Sequence, residues 1–248
     1  MKKPVKKLKK PFRIAIISKS KKDLPEIKRL LKEQGFSFST KKPEMVICHG
    51  GDGTLLIGEH KYPGVPKIAL RNSLTCIKCD DFPLKEVFKK IINKEFFIEE
   101  HKKLEVNIYS KNKKNNMVCL NDFILRNSNI SRAIRFSLKI NDKTIHRLII
   151  GDGLVVSTPF GSTAYFKNIT KTSFKEGFGL AYNNTNLREK TLFLDDDDVI
   201  ELELIRGPAD ASADHQLHPK QLDEKARIII NKSKEIAKII RLKQVKKL

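Results

Sequence analysis

The sequence predicts an open α/β part followed by a β-rich part, with the change near residue 97. Three observations carry that expectation. The first third alternates buried apolar runs with an amphipathic stretch, a β-α-β rhythm that suits a largely parallel sheet. Beyond Phe96, strand-length segments follow one another across turns. At 248 residues the chain is long enough for a sizeable core or for two modest ones. We therefore divide it into 1–96 and 97–248, with the last residues able to pack back on the first part.

Arg13 to Ser18 is apolar almost throughout and reads as a buried first strand. Asp23 is placed to cap a helix whose Leu24, Ile27, Leu30 and Leu31 share one face, and Gly35 ends it. Phe36 to Phe38 and Met45 to Cys48 are the next strands, followed after Pro63 and Pro66 by Lys67 to Leu70. Leu84, Val87, Phe88, Ile91 and Ile92 mark a second amphipathic helix, about Phe82 to Asn93. Strands are then expected at Leu104 to Tyr109, Met117 to Leu125, Ala133 to Ile140 and Thr144 to Ile150, the last two joined by an Asn141-Asp142 hairpin turn. Four more are expected at Thr191 to Leu194, Val199 to Ile205, Ala209 to Ala213 and Ala226 to Ile230.

Composition narrows the function classes. Hydrophobic residues make up 40% and charged residues 32%, the balance of a water-soluble globular chain, and no apolar run reaches the roughly 20 residues of a membrane span. The basic Met1 to Lys10 stretch lacks an apolar signal core, so a cytoplasmic location is expected. The net charge of +21 suits polyanions. Much of the lysine lies at the two ends, however, and no nucleic-acid recognition motif accompanies it. A surface favouring nucleotides, without specific nucleic-acid binding, is the expectation. Cys76-Ile77-Lys78-Cys79 has no second pair to complete a zinc site, and reads with Cys48 and Cys119 as ordinary reduced thiols. Asp195 to Asp198 reads as a solvated turn rather than a metal site.

Two segments carry the chemistry. Gly50-Gly51-Asp52-Gly53-Thr54 follows the Met45 run, where glycines permit positive φ and close approach to phosphate, and a carboxylate is held in the bend. Gly151-Asp152-Gly153 reads as an acidic glycine turn before the short strand Leu154 to Val156. The hydroxyl-rich loop Ser157 to Thr163 follows, in which Ser162 or Thr163 is placed to cap a helix. Tyr165 is suited to stack on a base or ribose.

The pairing of G-G-D-G-T with D-G-L-x-x-S-T-P-x-G-S-T-A-Y resembles the NAD kinase family, and Asn121-Asp122 and Asp214-His215-Gln216 sit where that family has acidic motifs. The resemblance extends from the first strand to about Ile230. It implies a Rossmann-like N-terminal α/β domain followed by a C-terminal β-sandwich. It also implies transfer of the γ-phosphoryl of ATP, or of polyphosphate, to the 2′-hydroxyl of the adenosine ribose of NAD, with Mg²⁺ or another divalent cation accompanying the nucleotide. Asp52 is then the catalytic base or hydroxyl-orienting group, with Gly51, Gly53 and Thr54 in the phosphate turn. Asn121, Asp122, Asp152, Thr163, Ala164, Tyr165, Asn168 and His215 are the remaining nucleotide-binding candidates. No residue is assigned as a protein metal ligand, and a homo-oligomer is implied. The chain departs from the family at Ser73 and Cys76, where glycines are expected, at Ile77 in place of an aromatic, and at Lys167 to Thr172, where two glycines are missing. The alternatives are a catalytically idle nucleotide-binding homologue on the same fold and a diacylglycerol- or sphingosine-type lipid kinase.

Overall fold

The computed structural model describes residues 12–111, 113–214 and 218–242. Its elements in chain order are β1 (Arg13–Ser18), α1 (Leu24–Glu33), β2 (Ser37–Phe38), β3 (Met45–Gly50), α2 (Asp52–Lys61), β4 (Lys67–Arg71) and α3 (Leu84–Ile92). After them come β5 (Phe96–Ser110), β6 (Lys113–Cys119), β7 (Asp122–Asn127), β8 (Ile134–Ile140), β9 (Lys143–Ser157), α4 (Tyr165–Thr170) and β10 (Phe178–Thr185). The last five are β11 (Thr191–Leu194), β12 (Ile200–Arg206), β13 (Ala209–Ala213), β14 (Lys220–Leu222) and β15 (Arg227–Leu242). The chain forms two compact units: residues up to His101 with those from Glu235 onward, and Lys102–Lys234. β5 and β15 each contribute residues to both. Among the described residues no helix is long and apolar enough to cross a membrane.

The first unit is a parallel sheet in the order β2-β1-β3-β4, to which β15 adds at Ile239 beside Lys67. Parallel strands bury both faces, and Val46, Ile47, Ile68 and Ala69 are fully enclosed. α1 and α3 lay their apolar stripes, Ile27, Leu30, Leu31 and Val87, Phe88, Ile91, on one core. Gly35 follows α1 with φ 75°, the left-handed residue that stops a helix.

Asp23 occupies the position before α1 but its carboxylate makes no cap. It accepts a hydrogen bond from Asn72 Nδ2 at 2.6 Å and lies 3.5 Å from His49 Nδ1. The cap is given up because a tertiary donor lies within reach. α2 is absent from the sequence expectation. Its buried face includes Thr54, Gly58 and Glu59 beside Leu55 and Leu56, while Ile57 is exposed, so it shows no apolar stripe by which periodicity finds helices.

The end of α2 is fixed from within. Lys67, at the start of β4 and fully buried, directs Nζ to the carbonyls of Tyr62 and Val65, each at 2.6 Å, and to the Glu59 carboxylate at 2.7 Å.

The second unit is β-structured, and β9 is its hub, pairing with β7, β8 and β10. From there the ladder runs β14-β13-β7-β9-β8-β12-β15, with β5 pairing both β15 and β6, and β11 on β10. The inner faces close on one apolar core that includes Leu104, Phe123, Phe136, Leu154, Phe178, Leu202 and Ile228. Asn141 and Asp142 take φ 49° and 62° in the β8–β9 turn, as such a hairpin requires. The run Asp195–Asp198 links β11 to β12. Asp198 accepts from the Asp195 and Asn141 nitrogens, and Lys102 and Lys232 pair with Asp196 and Asp197.

Two expectations are corrected here. Gly151 to Gly153 is strand rather than turn: Gly153 lies in β9 between Arg126 and Asn183. Met117 to Leu125 is two strands, broken at Leu120-Asn121.

Replacing Lys67 by Met leaves the Glu59 carboxylate buried without its cation. Chemical denaturation of Lys67→Met should show a stability loss of about 3–5 kcal/mol, the range for breaking one side of a buried pair. Adding Glu59→Gln to that variant should recover part of it.

Candidate functional site

In the first unit, β3 ends at Gly50 and Asp52 is the first residue of α2, at the carboxyl edge of a parallel sheet where such folds place ligands. None of Gly50, Gly51 and Gly53 has positive φ, so their role is not the one expected of them. Gly50 permits close approach instead: a Cβ there would lie 2.2 Å from Thr54 Oγ1. Thr54 in turn accepts the Gly51 N–H at 3.4 Å, and its own N–H donates to the Gly51 carbonyl at 2.9 Å. Thr54 therefore ties the helix start to the turn.

The Asp52 carboxylate is embraced by the segment after β4. The N–H of Lys78 donates to Oδ1 at 3.0 Å, that of Ile77 to Oδ2 at 3.2 Å, and Cys76 Sγ lies 2.9 Å from Oδ1. Cys76 and Cys79 form a disulfide, which corrects the expectation of reduced thiols. Two intervening residues bring their Cα atoms to 5.6 Å, inside the range a disulfide needs. Cys48 and Cys119 are free and buried. Ser73 and Cys76 keep negative φ, so the missing glycines leave no backbone strain at either position. Ile77 is 72% exposed. Burial lowers Lys78 to about 8, against the opposing pull of Asp52. Asp52, Cys76 and Cys79 are the one cluster of three His, Cys, Asp or Glu donors among the described residues.

In the second unit, Asn121 and Asp122 are buried and organised by a residue the sequence reading did not assign to the site. Asp214 accepts the N–H groups of Leu120 at 2.8 Å, Asn121 at 2.6 Å and Asp122 at 3.3 Å, and its own N–H returns to the Asp122 carbonyl. The hydroxyl-rich loop locks onto the same turn. Thr158 Oγ1 donates to the Leu120 carbonyl at 2.6 Å, and the Thr158 N–H to that of Asn121 at 2.9 Å. Gly161 follows in van der Waals contact: a Cβ there would sit 2.1 Å from the Asn121 oxygen, so any side chain would drive the loop from the turn. Asn121 Oδ1 is buried without a hydrogen-bond partner, an acceptor left for a ligand donor.

Neither Ser162 nor Thr163 caps the next helix. Ala164 precedes α4, and the Ser162 hydroxyl instead reaches the Pro159 and Phe174 carbonyls. Thr163 and Ala164 are partly exposed beside it, and Asn168 is exposed on α4. Lys171 ends α4 with φ 62°, a glycine-like conformation carried by a lysine. Tyr165 lines a cavity of about 430 Å³ with Ile124, Arg126, Asn127, Asp210 and Ser212 among its other walls. Asn127 reaches Asp152 Oδ1 at 3.4 Å, and Asn184 holds Asp152 Oδ2 at 3.0 Å. Within this unit Asn121, Asp122 and the loop form one group, and Tyr165, Asn127 and Asp152 another; Asn168 joins neither through a described hydrogen bond. His215 lies outside the described residues.

Burial, with the Asp214 charge added, pushes Asp122 up to about 7. Burial pushes Asp214 to about 6 despite its three N–H donors. Both groups hold protons in the folded state at pH values where the unfolded chain has released them, so this contribution to stability is present below about pH 4 and is lost as pH rises towards 7. Denaturation at a series of pH values should show that decline, and Asp122→Asn should flatten it.

No family model matches the chain. The NAD kinase of Clostridium botulinum (strain Kyoto / Type A2) is 31% identical over 129 residues, which covers 49% of this chain. The chain thus spans 44% of that relative's length. The NAD kinase of Caldanaerobacter subterraneus subsp. tengcongensis is 30% identical over 223 residues, 82% of this chain and 75% of the relative. Among solved structures, yeast NADH kinase complexed with NADH matches with a TM-score of 0.83 at 16% identity, over 96% of this chain and 85% of that one. An NAD kinase from Archaeoglobus fulgidus in complex with ATP matches at 0.75 and 20% identity, over 93% and 94%. The structural matches show a shared fold, an α/β domain with a β-sandwich, and the long Caldanaerobacter match adds the sequence: this chain belongs to the NAD kinase family.

Proposed function

We propose that the chain transfers the γ-phosphoryl group of ATP, or of polyphosphate, to the 2′-hydroxyl of the adenosine ribose of NAD, yielding NADP. The observation that carries the reading is the placement of Asp52: a carboxylate at the start of α2, directly beyond β3 at the carboxyl edge of the parallel sheet. A ribose hydroxyl is a weak nucleophile at neutral pH. A fixed carboxylate that takes its proton as the new P–O bond forms contributes roughly 10²–10⁴-fold. The relative matched over 75% of its length is named an NAD kinase, and the structural neighbours are complexes with NADH and with ATP.

The other assigned residues take binding roles in this reading. Gly51, Gly53 and Thr54 shape the phosphate turn at the start of α2. Asn121, with its free buried acceptor, takes a donor of the dinucleotide, and Asp122 lies beside it. Asp152, oriented by Asn184 and Asn127, accepts from a ribose or amide. Tyr165 offers a ring to the base at the mouth of its cavity, with Thr163, Ala164 and Asn168 nearby in sequence. His215 belongs to the same set.

A divalent cation fits this donor set only as a companion of the nucleotide. In the Asp52 cluster the other two members are sulfur, unsuited to Mg²⁺, which takes oxygen ligands. No residue of that cluster is therefore assigned to the ion, which would arrive with the phosphates of ATP. The ion supplies neutralisation of phosphate charge. An assembly of identical chains in the cytoplasm completes the proposal.

The test is purified protein with NAD, ATP and Mg²⁺, with NADP read by a coupled dehydrogenase. NADP should form, and Asp52→Asn should lower kcat by roughly 10²–10⁴-fold while NAD binding persists. Nucleotide binding without NADP in the unaltered protein would establish the idle homologue instead. Phosphorylation of diacylglycerol micelles would point to a lipid kinase.

A further inference from the structure

The disulfide beside Asp52 has no part in the proposed phosphoryl transfer, yet it closes the segment that holds that carboxylate. Cys76, Ile77 and Lys78 together supply every hydrogen bond or short contact described for the Asp52 oxygens. Cys79, the other end of the ring, bonds to Cys76 and lies 3.9 Å from the Gly50 carbonyl, in the turn that precedes Asp52. The ring therefore borders the carboxylate on both sides, closing the segment after β4 and lying against the end of β3. Two backbone N–H groups, one on each oxygen, fill two of the roughly four lone-pair sites of the carboxylate and leave fewer for a substrate hydroxyl.

We propose that Cys76–Cys79 is a redox-modification site acting on Asp52, closed and restraining as the disulfide and opened by a dithiol reductant. The inference rests on Asp52 being the proton acceptor of the reaction proposed above.

Geometry orders the steps. Cys76 is buried and Cys79 is half-buried, so a thiolate of the reductant attacks Cys79 Sγ. A bond forms between the reductant sulfur and Cys79 while the S–S bond to Cys76 breaks, its electron pair leaving on Cys76. Cys76 then takes a proton, because the adjacent Asp52 carboxylate disfavours a second negative charge. The reductant's second thiolate attacks its own sulfur in the mixed disulfide and releases Cys79, which is also protonated. Two electrons and two protons have moved: the chain gains two thiols and the reductant becomes a cyclic disulfide. The segment 76–79 is then no longer a closed ring, and its N–H groups can leave the Asp52 oxygens.

The remaining cysteines make the state measurable. Cys48 and Cys119 are wholly enclosed, and burial pushes the Cys48 thiol to about 12 and that of Cys119 well above its usual range. Neither reacts readily in the folded protein.

The experiment uses the purified full chain, oxidised or treated with dithiothreitol, then iodoacetamide under native conditions and intact-mass measurement. The oxidised protein should take no label and the reduced protein two, at Cys76 and Cys79. NADP formation should rise about tenfold on reduction, less than the roughly 10²–10⁴-fold a general base contributes in full, because the restraint is partial. Cys79→Ser, unable to close the ring, should give one rate with or without reductant. Labelling of both cysteines with no change in rate would overturn the proposal, as would a protein that takes two labels without reductant.

A second readout separates this proposal from the kinase reading. In the reduced protein, Asp52→Asn removes the negative charge beside Cys76 and should speed its alkylation roughly tenfold at a fixed pH. If neither redox state makes NADP, the kinase reading fails. The alkylation comparison still decides whether the pair acts on Asp52: faster labelling in Asp52→Asn upholds the coupling, and equal labelling overturns it.

Discussion

The placement of Asp52 depends on a lysine fifteen residues further on. Lys67 is fully enclosed, a costly position for a lysine unless its protons find oxygen acceptors. It finds them in Glu59 and in the carbonyls of Tyr62 and Val65, which close the chain between α2 and β4. A cation at that point also suits the negative end of the α2 dipole. α2 is thus fixed at its far end by an ion pair and at its near end by Thr54, and its first residue has little freedom left. The catalytic role proposed for Asp52 draws on that rigidity as much as on the residue's acidity.

The second unit uses a carboxylate for the same purpose. Asp214 gathers three consecutive N–H groups from Leu120, Asn121 and Asp122, which a continuous strand would have spent on its neighbours. The chain breaks there, and the break turns Asn121 into a buried side chain with an unengaged oxygen. Gly161 fits against the same backbone because it has no side chain. The hydrogen bonds that end β6 and begin β7 also present Asn121 and Asp122.

Much of this was legible in the sequence, for reasons that also explain the misses. β1, β3 and β4 are apolar throughout because parallel strands are covered on both faces, and α1 and α3 carry a clear apolar stripe. The paired glycine motifs stand out because few other uses need that chemistry. α2 lacked a stripe because its buried face includes Thr54, Gly58 and Glu59 and its exposed face carries Ile57. β10 begins Phe-Gly-Leu-Ala-Tyr and ends in polar residues, without the alternation by which half-buried strands are found. Asp214 was visible as part of a motif, but its work on a turn more than ninety residues earlier depends on β13 pairing with β7. The spacing of Cys76 and Cys79 was noted, and what joins them was not: the ring forms because the segment after β4 curls back over Asp52.

The composition of the first unit bears on how the molecule is made. Its parallel sheet includes Ile239 of β15 beside Lys67 of β4, and its core includes Ile240 and Leu242. A chain emerging from the ribosome tends to fold domain by domain from its N-terminus, and here that order cannot be completed. The unit bearing Asp52 is synthesised first, yet it waits for its last strand until Lys102–Lys234, the whole second unit, has been translated. A nascent chain stalled short of residue 239 would present the edge of β4 uncovered, open to pairing with another strand.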